Sequence, residues 1–458
     1  MHDPEGRGIG ERMNTQAPGL RTQDSGLGTG HVSGPRTRDD SGLMTQDSGL
    51  RSIRIADLTI ITAGASATQI LGDLGADVIK VEAARYPDPF RHWGAGLTQP
   101  TGLERPWDAS PPFNAVNRNK RGISLDLKHP LGREAFLRLV AISDVVAENF
   151  RRGVMERLGL GYETLRQVRP DLVMVSFSSQ GDSGPESGYS SFGSTLDALS
   201  GLMSITGYGP DAPVWSSNDV NYPDQVVSMF GAGMILMGLR RRRLTGQGVY
   251  IDCSQRELVT SMMGEVVLDY TVNGRVRQPA ANREASIVPH GCYRCRGEDE
   301  WVAIAVESDP QWAALCGAIG RPELASDERY ATLPARWRHA VEIDRLLGEW
   351  AVGLDKRTAM ERLQRAGVPA GAVLNGRELM EDPHLQARGF YREVVHPVGG
   401  PQRQRTWPFR LSEGPADIRA PAPCLGEHSR EVLGGLLGYS DEEIDRLEAA
   451  GVVGSEPE

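Results

Sequence analysis

Lysine is nearly missing from this 458-residue chain. Lys80, Lys120, Lys128 and Lys356 are the only lysines, so arginine carries almost all of the positive charge. The bias reads as codon usage, because either cation solvates a surface equally well. Positive charge is itself in deficit: 60 acidic against 50 basic residues leave a net charge of −10, which argues against a nucleic-acid partner. A local basic pocket for phosphates stays open. Long apolar runs are also absent. No stretch of about 18 apolar residues occurs, so no transmembrane helix and no membrane partner are expected. The N-terminus has no apolar core behind a basic start, so no secretory leader is expected either. Five cysteines, few and odd in number, read as reduced thiols of a cytoplasmic protein and not as a disulfide framework.

Residues 1–50 contain no Phe, Trp or Tyr. They repeat a short phrase: Thr22-Gln23-Asp24-Ser25-Gly26-Leu27, a variant at 37–43, and again Thr45-Gln46-Asp47-Ser48-Gly49-Leu50. A unit with a single Leu cannot bury enough surface to offset chain entropy. The segment reads as a disordered tail, with Met13 and Met44 as candidate translation starts. From about Ser52 strands and helices alternate. Strands are expected at 53–58, 76–82, 122–127, 144–148, 172–178 and 249–253. Helices are expected at 65–74, 131–142, 162–168, 194–205, 224–242 and 257–270. That alternation implies βαβ units and a mostly parallel sheet, an α/β fold. Three parts follow the tail: a large Rossmann-like part at 51–272, a linker and smaller α+β domain at 273–375, and a C-terminal segment at 376–458.

The familiar catalytic signatures are missing. Thr62-Ala63-Gly64-Ala65-Ser66-Ala67 after the first strand is no GxGxxG loop, so a dinucleotide cofactor is not expected. There is no Walker A sequence, no GxSxG and no HExxH. Cys292-Tyr293-Arg294-Cys295 is a CxxC without a second pair, in a strand pattern where residues three apart face opposite sides. No metal site is expected. Two features stand out. Asp224 opens the 224–242 helix, a position that ordinarily caps free backbone N–H groups. Glu148-Asn149-Phe150-Arg151-Arg152-Gly153 follows an apolar strand, where parallel sheets bind ligands.

In order along the chain stand Ala56-Asp57-Leu58-Thr59, then Gly72-Asp73-Leu74-Gly75-Ala76-Asp77-Val78-Ile79-Lys80-Val81-Glu82, then Asn117-Arg118-Asn119-Lys120-Arg121 and Leu125-Asp126-Leu127-Lys128. Asp144-Val145-Val146-Ala147-Glu148-Asn149-Phe150, Arg157-Leu158-Gly159-Leu160, Thr245-Gly246-Gln247-Gly248, Gly367-Val368-Pro369-Ala370-Gly371 and Asp382-Pro383-His384 complete the set. In these stretches, from about Ile53 to Leu447, the chain resembles the class III CoA-transferases, the family of formyl-CoA transferase, carnitine CoA-transferase and α-methylacyl-CoA racemase. The resemblance implies a transferase moving CoA from an acyl-CoA donor to a carboxylic acid acceptor. It proceeds through an aspartyl anhydride and an aspartyl-CoA thioester. The catalytic Asp falls on Asp224. Ile61, Thr62 and Ala63 match the loop beside the pantetheine and acyl group. Asn149 and Phe150 would line the CoA site, Arg91 and Arg157 would meet its phosphates, and Leu125 and Lys128 would lie near the adenine. CoA enters as a substrate, with no tightly bound cofactor implied. The resemblance also implies an interlocked homodimer, with a heteromer as the alternative.

The departures narrow the reading. The racemases carry His-Asp in the loop where this chain has Phe192-Gly193, and Phe cannot take a proton. The transferases often carry Tyr-Glu or Tyr-Asp there, so Gly193 removes an accessory carboxylate, and Asp197 is the candidate substitute. The Gly-rich loop of formyl-CoA transferase has no counterpart at 273–288. The alternatives are an acyl-CoA racemase or isomerase, and a CoA-binding subunit of a heteromeric transferase.

Overall fold

Short apolar strands, each followed by a helix, assemble into one six-stranded sheet in the computed structural model, which describes residues 50–93, 102–209, 212–216, 221–412, 414 and 416–458. All but the last residue of the expected disordered tail lies outside the described residues. The strands are β1 Arg54–Asp57, β2 Asp77–Glu82, β3 Lys120–Ser124, β4 Val145–Glu148, β5 Val173–Ser176 and β6 Val249–Asp252, in the order β3-β2-β1-β4-β5-β6. Every neighbouring pair is parallel. The α/β reading of the sequence is therefore correct.

The strands are apolar on both faces because helices cover both. Ile55, Val78, Val145 and Val173 pack with Ala67, Leu71, Val227 and Ile235, from the helices Ala63–Asp73 and Tyr222–Thr245. Ala56, Ile79, Ile123, Val146 and Met174 pack with Phe136 and Leu139 of the Pro130–Ala141 helix. The same cluster takes in Val432, Leu433, Ile444 and Leu447, so the end of the chain returns to the large sheet. Gly231 lets the long helix come close: a Cβ there would lie 2.6 Å from the Phe177 ring and 3.2 Å from Ala67 Cβ.

A second core surrounds an antiparallel sheet of β7 His290–Arg294, β8 Trp301–Ala305 and β9 Ala370–Ala372. Tyr293, Val302, Ile304, Trp312, Leu315, Ile343, Leu347 and Leu363 are buried in it. Cys295 is buried here and Cys292 is exposed, as strand alternation requires, and both thiols are free. The helix expected over 257–270 is two helices, Gln255–Ser261 and Gly264–Asn273. The break falls just before Gly264, a residue that loses more backbone freedom in a helix than any other. Among the described residues, no helix is long and apolar enough to cross a membrane.

The sheet order reverses between β1 and β4. The loops leaving their carboxyl ends therefore part to opposite sides and open a crevice, the place where open α/β sheets bind ligands.

Candidate active site

The crevice holds a cavity of about 540 Å³. Ile60, Ile61, Thr62 and Ala63 enter it from the end of β1, and Asn149, Phe150 and Arg151 from the end of β4. Phe192 and Gly193 form another wall, and Asp224 and Gln255 complete the lining. Six residues singled out in the sequence are thus brought together: Ile61, Thr62, Ala63, Asn149, Phe150 and Asp224.

The loop after β1 is held residue by residue. Thr59 N and Oγ1 donate to Asp57 Oδ1 at 3.0 and 2.5 Å, and Lys80 Nζ donates to Thr59 O at 2.7 Å. Asn149 clamps Ile60, accepting from its N–H at 2.8 Å and donating to its carbonyl at 2.9 Å. Ile61 N donates to Asp88 Oδ1 at 3.1 Å. These bonds sustain a strained backbone: Ile61 has φ 61°, a left-handed conformation that β-branched residues avoid. The anchors are buried ion pairs, Lys120–Asp57 at 2.8 Å and Lys80–Asp88 at 2.9 Å. Burial would raise the Asp57 carboxyl, but Lys120 and Lys80 hold it below its ordinary range.

Asp224 does not cap its helix. The helix runs Tyr222–Thr245, Asn221 occupies the capping position, and Asp224 is the third helical residue. Its turn is tied to the β1 loop through Ser228, whose Oγ lies 2.9 Å from Ala63 O and 2.7 Å from Asp224 O. Asp224 is 8% exposed. Burial pushes its carboxyl up from 3.8 to about 6; the neighbouring Asn221 side chain pulls it down, and the nearby Asp197 carboxylate adds to the rise. At neutral pH it is ionised. Asp197 itself faces elsewhere: its Oδ2 accepts from Ser216 N at 2.8 Å and from Ser216 Oγ at 2.9 Å.

The other expected residues lie outside the cavity. Leu125 is buried in the core. Lys128 is exposed beyond β3, its Nζ 3.7 Å from the centre of the Tyr86 ring. Arg157 is exposed on the short helix after β4. Both follow carboxyl ends of the sheet, on the side where the cavity opens. Arg91 is different. It is fully buried, and its guanidinium grips Glu82 with two bonds of 2.8 Å and Asp108 with another of 2.8 Å. Arg91, expected as a phosphate contact, thus stands in this structure within a buried ion-pair network and off the cavity wall. Sequence reasoning missed Gln255, whose Nε2 donates to Phe177 O at 2.7 Å while Oε1 has no hydrogen-bond partner among the described residues. It also gave Arg151 no role.

Known proteins resemble the chain in sequence and in fold. The sequence matches CoA-transferase family III over residues 50–429. It is 33% identical over 404 residues to a succinyl-CoA–D-citramalate CoA-transferase of Chloroflexus aurantiacus, covering 88% of this chain and 98% of that protein. It is 30% identical over 404 residues to the succinyl-CoA:glutarate CoA-transferase of Homo sapiens, covering 88% and 90%. A crystal structure of a CAIB/BAIF family protein from Brucella suis superposes with a TM-score of 0.77 at 30% identity, covering 85% of this chain and all of that one.

Proposed function

The chain belongs to CoA-transferase family III, and it is an enzyme that moves CoA between an acyl thioester and a carboxylic acid; we propose that Asp224 is its nucleophile. The observation that carries this is the convergence of an ionisable, nearly buried carboxylate with the β1 and β4 loops in one cavity. Asp224 attacks the donor thioester carbon, the C–S bond breaks, and CoA thiolate leaves an acyl-aspartyl anhydride. The thiolate then attacks the aspartyl carbonyl, releasing the donor acid and forming aspartyl-CoA. The acceptor carboxylate repeats the two exchanges in reverse, restoring Asp224 and giving the new thioester. Protons balance without a general base, which suits a cavity with no histidine among the described residues that line it. Thr62 and Ala63 begin a helix whose first N–H groups have no intrahelical partner, so they are the available donors for the developing oxyanion.

Lys128 and Arg157 supply cationic groups for the CoA phosphates at the rim. Arg151 lines the cavity and has no carboxylate partner among the described residues. Together with the succinyl-CoA named for both relatives, this supports a dicarboxylic acyl group, its far carboxylate meeting Arg151. A homodimer is part of the same proposal. Met229, Phe230, Met237 and Leu244 are exposed on the long helix, and the Gly264–Asn273 helix buries no residue while exposing Val267, Leu268 and Tyr270. Apolar surface of that extent marks an interface. A cytoplasmic setting is proposed on the five cysteines, all of them free thiols.

The test is trapping. With succinyl-CoA and hydroxylamine, the peptide containing Asp224 should acquire a hydroxamate detectable by mass spectrometry. An adduct on another carboxylate would move the nucleophile there.

A further inference from the structure

We infer that Asp88, from outside the cavity, is a positioning residue for the transfer: it holds the β1 loop in a strained shape that sets this wall against the Asp224 turn. The inference rests on Asp224 being the nucleophile. It starts from Ile61. Among the described residues, the non-glycine residues with positive φ are Ile61, Asn119, Ala281 and Asp299. Of these, Ile61 alone is β-branched and alone lines the cavity. A β-branched residue at φ 61° persists only where its neighbours impose that conformation. The neighbours are on hand at each successive residue. Lys80 Nζ donates to Thr59 O at 2.7 Å, Asn149 holds both polar groups of the Ile60 backbone, and Ile61 N donates to Asp88 Oδ1 at 3.1 Å.

Asp88 is itself fixed on several sides. It is 1% exposed, and its N–H donates to Glu82 Oε1 at 3.1 Å. Its Oδ1 also accepts from Phe90 N at 3.0 Å, and its Oδ2 accepts from Lys80 Nζ at 2.9 Å. Lys80 therefore ties the carboxylate and the start of the loop to one ammonium group. Asp88 does not line the cavity, so it reaches the reaction only through the loop. The loop in turn reaches the nucleophile. Ser228 Oγ lies 2.9 Å from Ala63 O and 2.7 Å from Asp224 O, so the end of the loop and the Asp224 turn meet at one hydroxyl. Without an acceptor for its N–H, Ile61 would relax toward negative φ. That rotation would turn its side chain in the cavity and shift Thr62 and Ala63 relative to Asp224. Attack on the thioester carbon tolerates little such movement, since a misplacement of about 1 Å costs up to about 100-fold in rate.

Removing the carboxylate alone would leave Lys80 buried and unpaired, so the test removes both charges. Two proteins share Lys80→Met. One adds Asp88→Asn, which keeps an oxygen for the Ile61 N–H; the other adds Asp88→Leu, which offers none. Steady-state kinetics with succinyl-CoA and glutarate compare them. The Asp88→Leu protein should have a kcat about 10- to 100-fold below the Asp88→Asn protein, with KM for succinyl-CoA nearly the same. The pair is then remade with Ile61→Gly. Glycine takes the left-handed backbone without help, so the gap in kcat should shrink to less than about threefold. A residue that merely stabilised the fold would separate the urea midpoints of each pair and leave the same kcat ratio in both backgrounds. Equal kcat in the first pair, or an undiminished gap in the second, overturns the inference. If the Asp88→Leu protein does not fold, Asp88→Glu against the wild type decides by the same two criteria, because it keeps a charge for Lys80 and displaces the oxygen from Ile61. Hydroxylamine trapping on the wild type separates the two levels. An adduct at Asp224 beside indifferent Asp88 variants overturns only the role of Asp88. An adduct elsewhere overturns the nucleophile and this inference with it.

Discussion

Asp224→Asn should make the protein more stable as it makes it inactive, and the gain should depend on pH in a defined way. Folding takes the Asp224 carboxyl from 3.8 to about 6, chiefly by burial. That is roughly a hundredfold in proton affinity, or about 3 kcal/mol. Below pH 4 the side chain is protonated in both the folded and the unfolded chain, and its ionisation costs the fold nothing. Between pH 4 and 6 the unfolded chain loses its proton freely while the folded chain retains it, so stability falls. Above pH 6 the folded chain carries the full cost of an ionised buried carboxylate. Asparagine has no charge and so no such cost. The variant should therefore match the wild type near pH 4 and exceed it by about 3 kcal/mol at pH 7.5, while turnover drops by orders of magnitude. Glu148, buried at the end of β4 and pushed to about 7, adds its own pH dependence. It does so in both proteins and cancels in the difference. Paired urea melts at a series of pH values measure the effect. A stability difference that stays constant from pH 4 to 7.5 would refute the electrostatic account. An active variant would refute the catalytic one.

Arg91→Ala should lower stability by about 3–5 kcal/mol, because Glu82 and Asp108 lose a buried partner, while CoA affinity of the folded protein holds. Arg157→Ala should do the reverse, weakening CoA binding by about 1.5–3 kcal/mol with little change in melting. Denaturant melts beside calorimetric CoA titrations separate the two; loss of CoA binding in folded Arg91→Ala would return that residue to the site. Gly231→Ala should destabilise by about 1–3 kcal/mol, since its methyl group meets the Phe177 ring at 2.6 Å. An unchanged urea midpoint would mean that the long helix shifts freely against β5.

The sheet was readable because its strands are apolar runs set between amphipathic helices, a pattern that depends only on neighbours in sequence. The β1 and β4 loops were readable for a related reason: their place is fixed by the strands they follow. Arg91 shows where that kind of reading stops. Nothing local distinguishes an arginine that meets phosphate from one that closes an internal ion pair, and Asp108 reaches Arg91 only through the folded chain. The tight packing of Asn221 against Gly193 was hidden for the same reason. A Cβ at 193 would lie 2.5 Å from Asn221 Cγ, a collision in space between positions 28 residues apart. Gln255 lay at the start of a helix placed two residues late, so its exit into the cavity gave no signal.

Acyl thioesters and acyl anhydrides modify amines without any enzyme, and a protein that handles both is exposed to its own reagents. Lys80 and Lys120 are enclosed beside the β1 loop, and Lys356 is buried between Glu300 and Glu378 at 2.8 and 2.7 Å. Among the lysines Lys128 alone stands exposed, and the positive surface charge is otherwise guanidinium, which stays protonated and does not acylate at neutral pH. What reads in the composition as codon usage thus leaves the folded enzyme with one lysine amine for stray acyl groups to find.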